Sequence, residues 1–506
     1  MLLTDNLLLN YKRCSRRTYL DVYGNTQQKD SEKDFLIKLK RENKAHINRI
    51  LQSRVLFFQQ PDASRRHWQL NCQQTIDLMK QGVDCIYKGM LGLGFPQWQS
   101  LAEEGLFSKL SNPNSQLILE NITLLASPTL LMKQPGISKF GNWQYIPVNI
   151  KLGRRPKPEY KLIAAYHAQI LAAIQEVIPS RSQLILRNGN DYNINLEYWL
   201  PNMHLIVADC LETLVTKSKP EVFISRQKCS LCHWYSYCYD TAKSQQHLSL
   251  IPGVTPRRYQ DLQALGINSP QSLANISEIM LTELMEQEVA RQLKQQVKSI
   301  LNQQPLIKSS YNLKASKNLP TTTIELYFDI EAEPERNLDY LLGLIIRDRH
   351  NNTTEFKAFL AEHPQDEKMI WQQFLDFVAL YPDAPIFHYS EYEIDTIKRL
   401  TKLYQTPKNT TQQLLSRLID LHEKVTESVI LPVESYSLKA IANWMGFYWR
   451  EANGSGDQSV CWYDRWLTTS DRSLLEAILS YNEDDCLATL QLKDWLVDFL
   501  DTQKNT

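Results

Sequence analysis

Apolar positions along the chain fall into three stretches of different character. Residues 1–245 mix helical patterns with short apolar runs: Trp143–Ile150 and Ser182–Arg187 predict strands, and the spacing over Lys161–Val177 predicts a helix. Residues 246–307 read as short helices broken by Pro252-Gly253, Gly266 and Pro270. Lys308–Thr323 is polar and predicts a linker. The run Ile324–Ile330 then opens a further α/β stretch, expected over residues 320–502.

That last stretch carries the clearest chemistry. In Phe328-Asp329-Ile330-Glu331 strand alternation puts Asp329 and Glu331 on one face. Leu341–Ile346 follows after a turn-like stretch and predicts a hairpin. Two carboxylates on one strand face are costly unless a cation neutralises them. A pair of divalent ions does so and supplies phosphodiester chemistry. Further acids are at hand. Ala384–Phe387 leads into His388-Tyr389-Ser390-Glu391-Tyr392-Glu393 and a helix, and Tyr481 and Asp485 are four apart in a helical pattern, sharing a face.

These segments resemble the three exonuclease motifs of the DEDD superfamily in its tyrosine-bearing branch, which has an RNase-H-like fold. The resemblance implies catalytic roles for Asp329, Glu331, Glu393, Tyr481 and Asp485. It makes Asp329, Glu331, Glu393 and Asp485 the ligands of two Mg²⁺ or Mn²⁺ ions. The second motif usually ends in Asp, so Asp395 is the alternative to Glu393, and Asp420 is a candidate supporting acid.

The nine cysteines have no even framework of spacings, which in a reducing compartment points to free or metal-bound thiols. Cys229, Cys232 and Cys238 form C-x2-C-x5-C, and Cys14 is the candidate fourth ligand. This arrangement, with Cys14 followed by Arg16, Arg17, Tyr19 and Leu20, resembles the iron–sulfur nucleases of the RecB family, including CRISPR-associated exonucleases. The resemblance implies a [4Fe–4S] cluster stapling the two ends of a PD-(D/E)XK domain. Zinc is the alternative, with His233 nearby. The remaining cysteines (Cys72, Cys85, Cys210, Cys461 and Cys486) show no ligand spacing and read as buried.

A PD-(D/E)XK centre needs two acids and a lysine. The resemblance puts Thr129 and Asn149 where the acids belong and leaves Lys151, with His46 as an upstream ligand candidate. The domain is therefore expected to hold nucleic acid without cutting it, through a basic face around Arg16, Arg17 and Arg154.

The expected fold class is α/β and multidomain: a degenerate PD-(D/E)XK restriction-endonuclease-like domain over 1–245, a helix–hairpin–helix-like segment over 246–307 and an RNase-H-like domain over 320–502. Apolar residues at 43 % against charged residues at 22 % supply more than one core. The formal net charge is zero but uneven: residues 1–60 hold 12 Lys/Arg against 6 Asp/Glu, and residues 321–400 hold 7 against 16. A basic front suits a phosphate backbone and an acidic stretch suits divalent metal. No apolar run approaches the roughly 20 residues of a membrane span, and the first residues lack signal-peptide character, so a cytoplasmic protein is expected. The activity expected is metal-dependent phosphodiester hydrolysis, 3′ to 5′ on DNA. A non-catalytic nucleic-acid-binding adaptor and a ribonuclease of the same fold are the alternatives.

Overall fold

A computed structural model describes residues 1–55, 57–94, 98, 120–312 and 319–504; the centre of the predicted linker, residues 313–318, lies outside the described residues. The chain divides into two units, Met1–Tyr239 and Asp240–Thr506. Among the described residues no helix is long and apolar enough to cross a membrane.

In the first unit β1 (Leu2–Thr4) runs straight into α1 (Asp5–Arg13). Thr4 caps that helix by accepting from Leu7 N at 3.2 Å, and Asp5 in the first turn suits the helix dipole. Cys14 ends α1 and caps α2 (Ser15–Tyr23). Helices α3 (Asp34–Arg54) and α4 (Trp68–Lys80) precede β2 (Cys85–Tyr87) and β3 (Leu91–Leu93). Strands β4 (Thr123–Ala126), β5 (Leu130–Ser138) and β6 (Gly141–Ile150) follow. Helix α5 (Pro158–Gln175) then crosses to β7 (Gln183–Ile185), which lies parallel to β6, and β8 (Asp191–Asn193) closes the edge. The larger sheet has the order β2-β5-β6-β7-β8, and a smaller one has the order β1-β4-β3.

Both predicted strands and the predicted helix of this unit are present. The helix starts three residues early because Pro158 is tolerated in a first turn. It ends at Glu176, whose φ of 59° leaves the helical region. Helix α5 is apolar on most sides because it is enclosed: Leu162, Ile163, Tyr166 and Ile170 join Leu3, Leu91 and Leu124 in one core. Helix α6 (Leu196–Val215) covers it, and α7 (Arg226–Cys229) and α8 (Tyr235–Ser244) carry the late cysteines.

The second unit begins with four helices, α9 (Pro256–Ala264), α10 (Pro270–Asn275), α11 (Glu278–Thr282) and α12 (Gln287–Asn302). Gly253 and Gly266 precede and follow α9 with φ of 89° and 76°, values that glycine adopts without strain. Gln296 on α12 donates to Leu431 O at 2.7 Å. Strand β9 (Leu306–Ile307) pairs with β15 (Val429–Ile430). The helical stretch is thus tied to the sheet domain that follows.

That domain is built on β10 (Ile324–Glu333), which forms the predicted hairpin with β11 (Leu338–Asp348); β12 (Thr353–Leu360) extends it. Helix α13 (Glu367–Val378) leads to β13 (Ile386–His388), then α14 (Glu391–Leu403), α15 (Lys408–Leu415), β14 (Leu418–Asp420) and α16 (Leu421–Ser428). Helices α17 (Leu438–Trp444), α18 (Gly456–Thr469) and α19 (Arg472–Lys504) complete it. The sheet order is β12-β11-β10-β13-β14, antiparallel in the hairpin and parallel beyond β10.

Alternation along β10 sorts its side chains into two cores. Leu326, Phe328 and Ile330 join Phe374 of α13, whereas Tyr327 joins Phe387 and Leu492 and Leu496 of α19. Asp329 and Glu331 share the Tyr327 side and face α19. At the start of β10, buried Glu325 accepts from Lys493 Nζ of α19 at 2.8 Å.

Candidate metal centre and a cationic cleft

Asp329, Glu331 and Asp485 each offer a carboxylate oxygen, and these oxygens lie within 4.8 Å of one another. β10 supplies the first two, and α19 brings the third across the sheet. A register shift after Glu331 interrupts the pairing with β11, which resumes at Ala332 and Asp339. Glu393, in the first turn of α14, is buried and close enough to raise the Asp329 carboxyl. Its Oε2 accepts from Ser390 Oγ at 3.2 Å and lies 3.4 Å from His388 Nδ1. Asp395 is on the opposite face, 75 % exposed and 3.9 Å from Lys398.

Asp420 is not in the cluster. Its carboxylate caps α16, accepting from His422 N at 2.8 Å, and also accepts from Ser390 N at 3.1 Å. Ser390 has φ of 131°, a strained value for a residue with a side chain. Asp420 therefore supports the turn that delivers Glu393.

The electrostatics are those of buried acids crowded together, with Lys439 as a counter-charge to Asp485. Burial, then Asp485, Glu331 and Glu393, push the Asp329 carboxyl well above its ordinary range. Burial and Asp485 do the same to Glu331, opposed by a hydrogen bond with Ser459. Asp485 is pushed up to about 7 by burial, although Trp449, Tyr481 and Lys439 pull it down. Trp449 Nε1 donates to Asp485 Oδ1 at 3.0 Å. Burial and the three acids raise the Tyr481 phenol, so it keeps its proton and donates to Asp485. Hard oxygen ligands at this spacing fit divalent cations, whose charge removes the repulsion.

The loop between α17 and α18 closes over this site. Arg450 N and Nε donate to the Asp484 carboxylate, each at 2.8 Å, and Lys439 Nζ donates to Gly454 O at 2.6 Å. A Cβ on Gly454 would lie 2.6 Å from Tyr481 Cδ2, so only glycine lets the loop reach the ring. Trp449, Lys439 and Ser459 carry no motif spacing that sequence reasoning could find, because they come from separate loops and helices.

In the first unit a cleft of about 660 Å³ is lined by Lys40, Lys44, Arg65, Lys88 and Lys151, with Asp5 and Asp62 as its acids. Thr129 also lines it, and its hydroxyl accepts from Ile150 N at 3.1 Å. Asn149 is buried and does not line the cleft, and its Nδ2 has no hydrogen-bond partner. His46 likewise does not line it; it is buried on α3. Asp5 was not anticipated. Its Oδ2 accepts from Ser127 N at 3.2 Å and lies 3.0 Å from His167 Nε2. Burial pushes the Asp5 carboxyl up, but His167 and Lys151 outweigh it and keep it ionised. Burial lowers the Lys151 ammonium, and Arg13 and Arg65 add to that against Asp5. An acid one residue after a helix-capping Thr was the available signal for Asp5.

The four candidate cysteines share one neighbourhood: Cys14 and Cys238 act on the charge of Cys229, and Cys14 and Cys229 on that of Cys232. Burial raises the Cys229, Cys232 and Cys238 thiols, with Cys232 reaching about 11. Donors point at the sulfurs. Arg17 N reaches Cys14 Sγ and Ser225 N reaches Cys229 Sγ, each at 3.4 Å. Arg16 corrects the expected basic face: it is buried beside Cys238 and donates to Pro220 O at 2.7 Å. Arg17 lies 3.9 Å from Asp21, which leaves Arg154 as the exposed member of the three. The five other cysteines are buried, as expected.

Comparison with curated proteins finds no match for the chain. Residues 326–497, the span from β10 to most of α19 that holds every member of the carboxylate cluster, match the RNase_H_2 family model of the RNase H superfamily, and the C-terminal domain is RNase-H-like.

Proposed function

We propose that the protein is a two-metal-ion nuclease, a 3′ to 5′ exonuclease acting on DNA through its C-terminal domain. The observation that carries this reading is the convergence of Asp329, Glu331 and Asp485 within 4.8 Å, at a spot where burial and mutual repulsion raise the Asp329 carboxyl. Together with Glu393 they would hold two Mg²⁺ or Mn²⁺ ions. Such ions, when bound, generate the nucleophile and neutralise charge on the leaving oxygen. Tyr481 keeps its proton and, beside Asp485, is suited to orient a water molecule. Lys439, next to Asp485, contributes the positive charge of the chain itself.

The N-terminal unit would bind nucleic acid without cutting. Among the described residues its cleft carries five cations and its carboxylates form no metal-binding trio, and Thr129 supplies a hydroxyl in place of an acid. The four cysteines fit a [4Fe–4S] cluster. Four thiolates suit such a cluster, with zinc as the alternative.

The test is hydrolysis of end-labelled single- and double-stranded DNA and RNA with Mg²⁺ or Mn²⁺. Stepwise loss from the 3′ end of DNA, stopped by EDTA and absent in Asp329→Ala, is expected. Hydrolysis that survives EDTA rejects the reading. Preference for RNA would make it a ribonuclease, and binding without hydrolysis an adaptor.

A further inference from the structure

Asn482 follows Tyr481 on α19 and is fully buried. Its Nδ2 donates to Asp329 Oδ2 at 2.7 Å, while its Oδ1 has no partner. Beside them runs β11, where Gly343 is the residue directly opposite Asp329 in the strand register. A Cβ on Gly343 would stand 1.6 Å from Asn482 Oδ1 and 2.7 Å from its Cγ. No side chain can occupy position 343 while Asn482 keeps this place.

Each residue is a poor local choice. Glycine inside a strand gives up packing and costs chain entropy. Asparagine is a weak helix former, and a buried carbonyl without a donor costs free energy. Both costs meet at one point, and what they yield together is one hydrogen bond to Asp329. Local rules broken in concert mark a functional site better than either break alone.

We propose that Gly343 and Asn482 form a two-part positioning device for Asp329: glycine leaves the space, and the amide passes through it to fix the rotation of the carboxylate within the trio. This rests on the metal-dependent reading above. Asn482 acts through Asp329, as a positioning residue. Metal ligands held by such a partner present their oxygens in one orientation, and loss of the partner typically weakens metal binding about 10- to 100-fold.

The experiment compares full-length wild type with Asn482→Ala, Gly343→Ala and the double variant. Mn²⁺ affinity is measured by calorimetry, and thermal stability without metal is measured beside it. Asn482→Ala is expected to weaken Mn²⁺ binding at least about tenfold without lowering the metal-free melting temperature. Gly343→Ala should lose the same affinity and also stability, because its methyl displaces the amide. The double variant should bind Mn²⁺ no worse than Asn482→Ala and recover the stability, since contacts acting as one unit are not additive. Wild-type Mn²⁺ affinity in Asn482→Ala, or affinity losses that add in the double variant, would overturn the proposal. Failure of the wild type itself to bind Mn²⁺ would overturn both this and the nuclease reading. Binding and hydrolysis by the wild type, unchanged in Asn482→Ala, would overturn this proposal alone.

Discussion

The Trp449 indole donates to Asp485 Oδ1 at 3.0 Å, so a residue outside every motif holds one of the central acids. Trp449→Phe keeps a ring in the core and removes only the donor. Loss of a hydrogen bond to a metal-binding carboxylate should lower nuclease activity about 10- to 100-fold. The rate at saturating metal, read beside an unchanged circular dichroism spectrum, checks it.

The raised acids make a pH prediction for the metal-free protein. Asp485 titrates at about 7 when folded, against 3.8 as its ordinary value. The folded carboxyl holds its proton where the unfolded chain has lost it. Stability is therefore greatest below about pH 4 as far as this group is concerned, and it is lost as pH rises towards 7. Asp485→Asn should melt higher than wild type at pH 8 without metal, by several degrees, and show a flatter pH dependence. Mn²⁺ should stabilise the wild type most in that same alkaline range. A melting curve for Asp485→Asn that tracks the wild type across pH 5–8 would contradict the assignment.

Sequence patterning anticipated most of this domain. The alternation in Phe328-Asp329-Ile330-Glu331 set the face of both acids, and the four-residue step from Tyr481 to Asp485 set theirs, because strand and helix periods are local properties. It could not separate Glu393 from Asp395, since that depends on which side of α14 packs inward. Nor could it find Asp5 or Asn482, whose roles exist only once distant elements meet.

For the cysteines, anaerobically purified protein should be brown, with broad absorption near about 400 nm. Cys14→Ala should lose it, because the late cysteines then lack the fourth thiolate. A colourless anaerobic preparation with one equivalent of zinc would point to the other metal.

The N-terminal cleft yields a prediction in the full-length chain. With Asp329 and Asp485 both changed to Ala, DNA should still bind and no nucleotides should be released. Adding Arg65→Ala and Lys88→Ala should weaken that binding and flatten its dependence on salt, as expected when phosphate contacts are lost. Metal-dependent cleavage remaining in the doubly changed protein would mean that this cleft holds a working centre.

The ties between β10 and α19 have one more consequence. Asp329 meets Asn482 at one point, and Glu325 meets Lys493 at another. The strand partners are four positions apart and the helix partners eleven, close to three full turns. Inserting one residue between Asn482 and Lys493 would swing everything beyond it by about 100°, so both contacts could not survive. Side chains on the outer surface of that interval are free to drift, but its length is not. A distant protein sharing this architecture would be recognised sooner by counting residues between those two points than by comparing their letters.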